Sequence, residues 1–584
     1  MKNSKLFSIL TTLSFMIIGC SSNTPSSNNS SKNDDKTNIS YLTSESNGTA
    51  TIRIYKDNNS PTKERYIAPK NVKMKYSYND LSGILLNNEN VCPSIGNVNL
   101  LVIPVHIPGD NTYYNEEVRK DIEEVFFGDS YDSESQLGFS SLTEYFYESS
   151  YGQLNFQGKV TNWFNLEEYT NIQFPSEITE GNDGTIVTEI LEKAVDWAES
   201  FENIDLSQYD NNKDGSIDGV WLVYDHLDWK TEYEIKKNSD PTYAGAGLNT
   251  AFWNFTGWDW LTVPNTNKPT TSAFSWASVS MMYTSYCERN TLGAPRLNNL
   301  SSIPLDSHVF IHETGHLMGL DDYYASDNDL YHPVGKSTMM DQNVCDLDSY
   351  SKMLLGWVTP YVVYGTSEIL IPTATSSKHG VIVIPTNHEE ISELVEQANI
   401  QGTTKNFVYE FNPFSEYIMI DLYSPDGLNE QDTFGKTIYG KDKGIETTGV
   451  RIYHVDSRIF KCTIVDTING SLITYDSNNY TWDGTDLEGN EAVLMPISNQ
   501  KIENSSFQLP EEFDNFDQIR LLEATQTNTF SNNGVASSST LFTTKTKDFD
   551  ISLFGYQFFN SNYQFNSGEE IPFKINVKTL KEID

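Results

Sequence analysis

His312 and His316 stand four residues apart with Glu313 between them, inside the run HVFIHETGHLMGLDDYY at residues 308–324. On a helix this spacing puts both imidazoles on one face, one turn apart, where they can reach a single ion with Glu313 beside it. Such a set suits zinc-assisted hydrolysis, in which Glu313 accepts a proton from a metal-activated water and passes it to the leaving amine. The residues that follow sharpen the reading. Gly319 lets the chain turn back at the helix end, and Asp322, three residues on, can bring an oxygen to the third protein position. A third ligand from a downstream helix Glu is disfavoured, because no Glu occurs between Glu313 and Glu368. Asp321 and His332 are local rivals, and the motif register favours Asp322. The fourth position is left to water or the substrate carbonyl oxygen.

The elements around this helix follow from hydrophobic periodicity. VNLLVIPVHI (98–107) is a nearly continuous apolar run of strand length, as in a strand covered on both faces. Val118, Ile122, Val125 and Phe126 share a face and predict a helix over 116–127 that stops at Gly128. Ser141 and Glu144 form a capping box that opens a second helix, and residues 154–160 read as a strand. Ile186, Ile190, Ala194 and Trp197 make one stripe of a third helix over 185–200. This alternation predicts an α/β layout with helices covering a sheet. The aperiodic, aromatic stretch 227–272 reads as a loop bordering the cleft, or as Trp253, Trp258 and Trp260 covering the core. FSWASVSMMY (274–283) alternates as a strand whose edge would lie beside the substrate.

YDNNKDGSIDGVWLVYD places Asp210, Asn212, Asp214, Ser216 and Asp218 at every second position, with Gly215 at a tight turn. That is a calcium-loop pattern without its closing Glu, since Trp221 holds that place and starts a strand. A calcium site and an Asx-rich turn are both compatible with it.

Beyond the helix, GKSTMMDQN carries Met339 and Met340, and a Met turn beneath the zinc is the second mark of metzincins; Met340 is the expected residue. HETGHLMGLDDYY, this Met turn, LDSYSKMLLGW and SLTEYFYESSYGQLNFQGKV together resemble the immune inhibitor A family of bacterial metallopeptidases. The resemblance runs over about 98–357 and returns at GVRIYHVDSR (449–458). It implies proteolysis outside the cell, zinc on His312, His316 and Asp322 with Glu313 catalytic, and a mixed sheet with an active-site helix. Some metzincins also carry a Tyr after the Met turn that stabilises the tetrahedral intermediate. Asp341 and Gln342 follow Met340 here, leaving Tyr323, Tyr324 and Tyr350 without a register.

The frame around this domain is read from composition. With 39 Lys plus Arg against 80 Asp plus Glu, the net charge of -41 argues against nucleic acid as a partner and suits a soluble surface that could recruit divalent cations; protein or peptide substrates are what the protease resemblance implies. Lys2 and Lys5 precede an apolar run over 6–18 that ends at Gly19-Cys20, resembling a bacterial lipoprotein signal with Cys20 as the lipidated, membrane-anchored residue. Four further cysteines, Cys92, Cys287, Cys345 and Cys462, fit no zinc-ribbon or disulfide framework, and Cys92 could block a zinc by ligating it. After Pro360, runs such as EILIPT, GVIVIPT, EYIMIDLY and GVRIYHVD alternate between Gly, Asn, Asp and Ser turns, and His454 and Asp456 fall in one of them as structural residues.

The expected fold is α+β, a metzincin-like zinc protease domain followed by a β-rich, sandwich-like C-terminal region. Its segments are a signal peptide (1–20), a disordered tether (21–45), a β segment or pro-segment (46–95), the protease domain (96–362) and the C-terminal region (363–584). The expected function is an extracellular zinc endopeptidase of unknown oligomeric state. Its rivals are a non-catalytic surface adhesin on the same fold and a zinc hydrolase of non-peptide amides.

Overall fold

Alternate residues of one strand, Gly96–His106 (β1), enter two different cores. Val98, Leu100 and Val102 join one apolar cluster and Leu101, Ile103 and Val105 the other, so the strand is buried on both faces as its continuous apolar run requires. The computed structural model describes residues 92–109, 112–172, 183–245, 252–259, 262–283, 304–320, 322–324, 332–358, 373–375, 380–385, 416–433, 444–456, 519–525 and 534–542, with short stretches of strand and turn elsewhere. Cys20, Trp260, Cys287, Asp321 and Cys462, the signal and tether up to residue 41, and residues 53–91 fall outside them.

Around β1 lie Leu154–Val160 (β2), Val220–Tyr224 (β3), Phe255–Trp258 (β4) and Ala273–Ser278 (β5). They form a mixed sheet in the order β2-β1-β3-β5-β4, with Phe164–Asn165 pairing β1 off this path. The first four strands run parallel and β4 antiparallel to β5, in the register Phe255↔Trp276. Glu116–Phe127 (α1) begins where the Asn115 side chain accepts the Val118 N–H. Leu142–Ser149 (α2) opens on the complete Ser141/Glu144 capping box, and Asp183–Phe201 (α3) extends the expected helix slightly at each end. Ile190, Leu191, Ala194 and Ala198 of α3 cover one face of the sheet. His308–Leu317 (α5) packs on the other, after Trp229–Ser239 (α4), and Ser349–Leu354 (α6) follows the segment that carries Met339 and Met340.

Two expectations about the 227–283 region are corrected. The stretch taken for a loop contributes α4 and the edge strand β4, so the strand 274–283 is not at the edge. That strand also stops at Ser278, where its hydroxyl accepts the Ser280 N–H at 2.9 Å and turns the chain into the helical turn Ser280–Tyr283.

A second sheet follows, with Tyr361–Val362 (β6), Val381–Pro385 (β7), Glu416–Tyr423 (β8), Gly449–Asp456 (β9) and Ile519–Leu521 (β10). Its order is β10-β9-β8-β7-β6, antiparallel except for the β7–β6 pair. His454 is a buried residue of β9, opposite Ile418 and Arg520. The N-terminal strand Thr49–Ile52 belongs to another sheet, where it pairs in parallel with Ser367–Ile371.

Buried polar contacts tie the second sheet and the turn that follows β8 to residues 343–349, just after Met339 and Met340. Arg451 forks onto Asp421 with two 2.8 Å bonds, and Ser349 Oγ donates to the same carboxylate at 2.5 Å. Asn343 Nδ2 donates to Asp432 Oδ1 at 2.9 Å, and the Asp346 N–H to Asn429 Oδ1 at 3.1 Å. From the other side, Tyr145 of α2 donates its hydroxyl to the Cys345 carbonyl at 2.9 Å.

Candidate metal centre

Helix α5 is seated by aromatic packing before any ligand is considered. Phe310 meets Trp221 of β3 and Phe126 of α1 at centroid distances of 5.3 and 5.4 Å, and Trp221 Nε1 donates to Thr314 Oγ1 at 3.1 Å. With Val309, Phe310 and Ile311 buried, His312 and His316 are left on the helix face toward Asp322. The helix ends in a Schellman turn, in which the Leu320 N–H bonds the Gly315 carbonyl at 3.0 Å and the Gly319 N–H bonds that of His316 at 2.8 Å. Gly319 has φ +92°, a conformation that a side chain would strain. The reversal returns Asp322 to the helix it has just left.

Three lone-pair donors converge there. Asp322 Oδ1 lies 2.9 Å from His312 Nε2 and 3.3 Å from His316 Nε2, and the two Nε2 atoms are 3.2 Å apart. Each Nδ1 faces a backbone carbonyl, His312 that of Met339 at 3.0 Å and His316 that of Leu320 at 2.7 Å. A carbonyl can only accept, so both Nδ1 atoms carry hydrogen and, in neutral rings, both Nε2 atoms present lone pairs. Asp322 Oδ1 is buried with no hydrogen-bond partner. Three acceptors facing one point are what a divalent cation resolves, and two imidazoles with one carboxylate oxygen match the donor preference of zinc.

The electrostatics agree. Burial alone would lower both imidazoles, but the Asp322 carboxylate outweighs it, raising His312 and taking His316 up to about 10. Burial opposes the charge of Asp322, yet the histidines hold its carboxyl well below the usual range. In place of those protons, a cation would satisfy the carboxylate without setting two imidazolium rings against each other.

Glu313 joins the histidines in a cluster whose ligand atoms lie within 4.8 Å of one another. Its carboxylate is buried and held by two residues that no sequence signal singles out. Asn254 Nδ2 donates to Oε1 at 2.6 Å and Thr256 Oγ1 to Oε2 at 2.9 Å. Both come from the β4 stretch, more than fifty residues upstream, and no local motif marks them.

Met340 lies against α5, since a Cβ added to Gly315 would sit 2.7 Å from Met340 Sδ. Its neighbour Met339 supplies the carbonyl behind His312. The rival His332 is fully buried with its Nδ1 2.6 Å from Asp341 Oδ1. The Tyr323 hydroxyl meets Ser351 Oγ at 2.8 Å, Tyr350 packs beside Tyr323, and Tyr324 lies near His332. Cys92 gives its N–H to the Leu317 carbonyl at 2.9 Å, while burial and the nearby Asp218 push its thiol well up, away from the thiolate a metal would need.

The aspartate loop is largely closed on itself. Asp210 Oδ2 accepts the Gly215 N–H at 3.1 Å, Asn212 Oδ1 that of Asp214 at 2.9 Å, and Asp214 Oδ1 that of Ser216 at 2.8 Å. Asp218 accepts the Asn211 N–H at 2.5 Å and is pushed up to about 7 by burial. Asp210 Oδ1 is buried without a partner.

Residues 104–227 match the family model described as immune inhibitor A peptidase M6, catalytic domain. The match runs from within β1 past β3 and ends before α5, so the histidine cluster stands on geometry rather than on the matched segment. No curated protein matches the chain.

Proposed function

We propose that this chain, a metallopeptidase of the immune inhibitor A type, is a zinc-dependent endopeptidase that works outside the cell. The metallopeptidase assignment, hydrolysis of peptide bonds in proteins or peptides, follows from the matched domain. The zinc site and the roles of individual residues are the proposal. His312, His316 and Asp322 would hold the ion, and the observation that carries this is the convergence of their three lone pairs with both Nδ1 atoms already committed to carbonyls.

When bound, zinc supplies a Lewis acid that polarises the scissile carbonyl and lets water attack near neutral pH. Glu313 takes the proton of the attacking water and returns it to the leaving amine. An extended substrate would lie along β4, whose outer edge pairs with no described strand, and would add backbone hydrogen bonds there. The adhesin reading has no use for a buried, oriented Glu313.

Metal removal tests the reading. Treatment with 1,10-phenanthroline is expected to abolish casein cleavage, and zinc, not calcium, to restore it; cleavage that survives zinc removal would sink it. In the same experiment, removing calcium alone with EGTA reads the aspartate loop. A lower melting temperature, reversed by calcium, is expected if Asp210 and Asp218 bind the ion, and an unchanged one leaves the loop as a turn.

The location outside the cell rests on the residues up to Cys20. Cys20→Ser is expected to shift the protein from the membrane to the soluble fraction, because acyl chains rather than a spanning helix would hold it. An unchanged membrane pool would count against lipidation. Among the described residues no helix is long and apolar enough to cross a membrane.

A further inference from the structure

We infer that Asn254 and Thr256 are positioning residues for the reaction, a two-point clamp from the edge strand that fixes the Glu313 carboxylate for proton transfer. The inference rests on the role given to Glu313 above and adds to it the residues that make the role effective. A glutamate side chain has three rotatable bonds, and α5 fixes only its Cα. Each carboxylate oxygen of Glu313 receives one donor, Asn254 Nδ2 at 2.6 Å and Thr256 Oγ1 at 2.9 Å, so both the position and the plane of the group are set. Each oxygen keeps a further lone pair for the proton it must take.

The donors are themselves held. Thr256 Oγ1 lies 2.8 Å from Ser275 Oγ on β5, which can donate to it and direct its single hydrogen toward Glu313. The residues before Asn254 are tied to the body of the domain: the Trp229 N–H bonds the Phe252 carbonyl at 2.8 Å, and the Tyr224 hydroxyl bonds that of Trp253 at 3.2 Å. Lys230 Nζ sits 4.3 Å over the Trp253 ring, and Phe252 stacks on His226 at 5.3 Å. The clamp is thus rigid and reaches the base from the strand along which the substrate would lie.

The test uses full-length, zinc-loaded protein and a quenched fluorescent peptide. Asn254→Ala and Thr256→Val are each expected to lower kcat by about 10- to 100-fold, the scale of a misplaced reacting group, with KM within about threefold of wild type. Zinc content is expected to stay at the wild-type level, and Thr256→Ser, which keeps the hydroxyl, to recover kcat to within about threefold. Values of kcat within about twofold of wild type for both truncations, while Glu313→Ala is inactive, would overturn the clamp and leave the base in place. An active Glu313→Ala would instead remove the base itself. A fall in zinc content matching the fall in kcat would also overturn the clamp, since the residues would then serve only the fold. Thr256 also contacts the Glu313 backbone carbonyl, so if Thr256→Val unfolds, Asn254→Ala alone decides.

Discussion

Glu313→Ala is expected to bind zinc as tightly as the wild-type protein and to lose casein or gelatin cleavage by about 10²- to 10⁴-fold, the range that general acid–base catalysis contributes. Zinc should stay because Glu313 is not one of the three atoms that meet around Asp322 Oδ1. Activity should go because one carboxylate both accepts the proton of the attacking water and delivers it to the amine, and the other described carboxylate beside the histidines, Asp322, would be taken up as a metal ligand. Glu313→Gln is the sharper version. Its amide oxygen can accept from Asn254, and its NH₂ can donate to the Thr256 hydroxyl, which accepts as readily as it donates. Shape and hydrogen bonds then survive while basicity is lost. Equal loss in the Gln and Ala variants, at unchanged zinc content, isolates the proton transfer; undiminished cleavage by either purified variant would remove Glu313 from the mechanism.

Asp322→Ala is expected to weaken zinc binding by more than about 100-fold, the upper cost of losing even an outer-shell partner of a metal ligand, and to abolish cleavage at sub-stoichiometric zinc. The reason lies in the turn that carries it. Asp322 reaches the histidines only because the chain reverses at Gly319, and among the described residues no other carboxylate lies within ion-pair distance of either histidine. The rival His332 is committed to Asp341, which also accepts the Lys336 N–H at 2.7 Å, so it is not free to replace the lost oxygen. Metal analysis of the dialysed variant decides: one zinc per chain with full activity would place the third ligand elsewhere. Because the aspartate charge is also what raises His312 and His316, the metal-free variant should show both imidazoles titrating lower than in the wild-type chain.

What the residue order settled by itself is local. The four-residue step between His312 and His316 is one helical turn, and a glycine that can adopt φ +92° must follow if Asp322 is to come back, so the convergence of these three side chains was legible in a run of seventeen residues. The continuous apolar run of β1, the capping box of α2 and the stripe of α3 were legible for the same reason, since each is a pattern that one element carries along its own length. Tertiary structure alone decided what surrounds that cluster. β4 has four residues, one of them glycine, too short for any period to show, and only its pairing with β5 makes it the edge strand and delivers Asn254 and Thr256 to Glu313. The anchoring of the Met339–Met340 segment likewise depends on Asn429, Asp432 and Asp421, whose partners lie about 70 to 90 residues away in the chain. Such contacts are set by which surfaces meet once the two sheets have formed, and no local propensity encodes them. The sequence therefore carried the meeting of His312, His316 and Asp322, and the packed sheets supplied the grip on Glu313 and the anchoring of the Met339–Met340 segment.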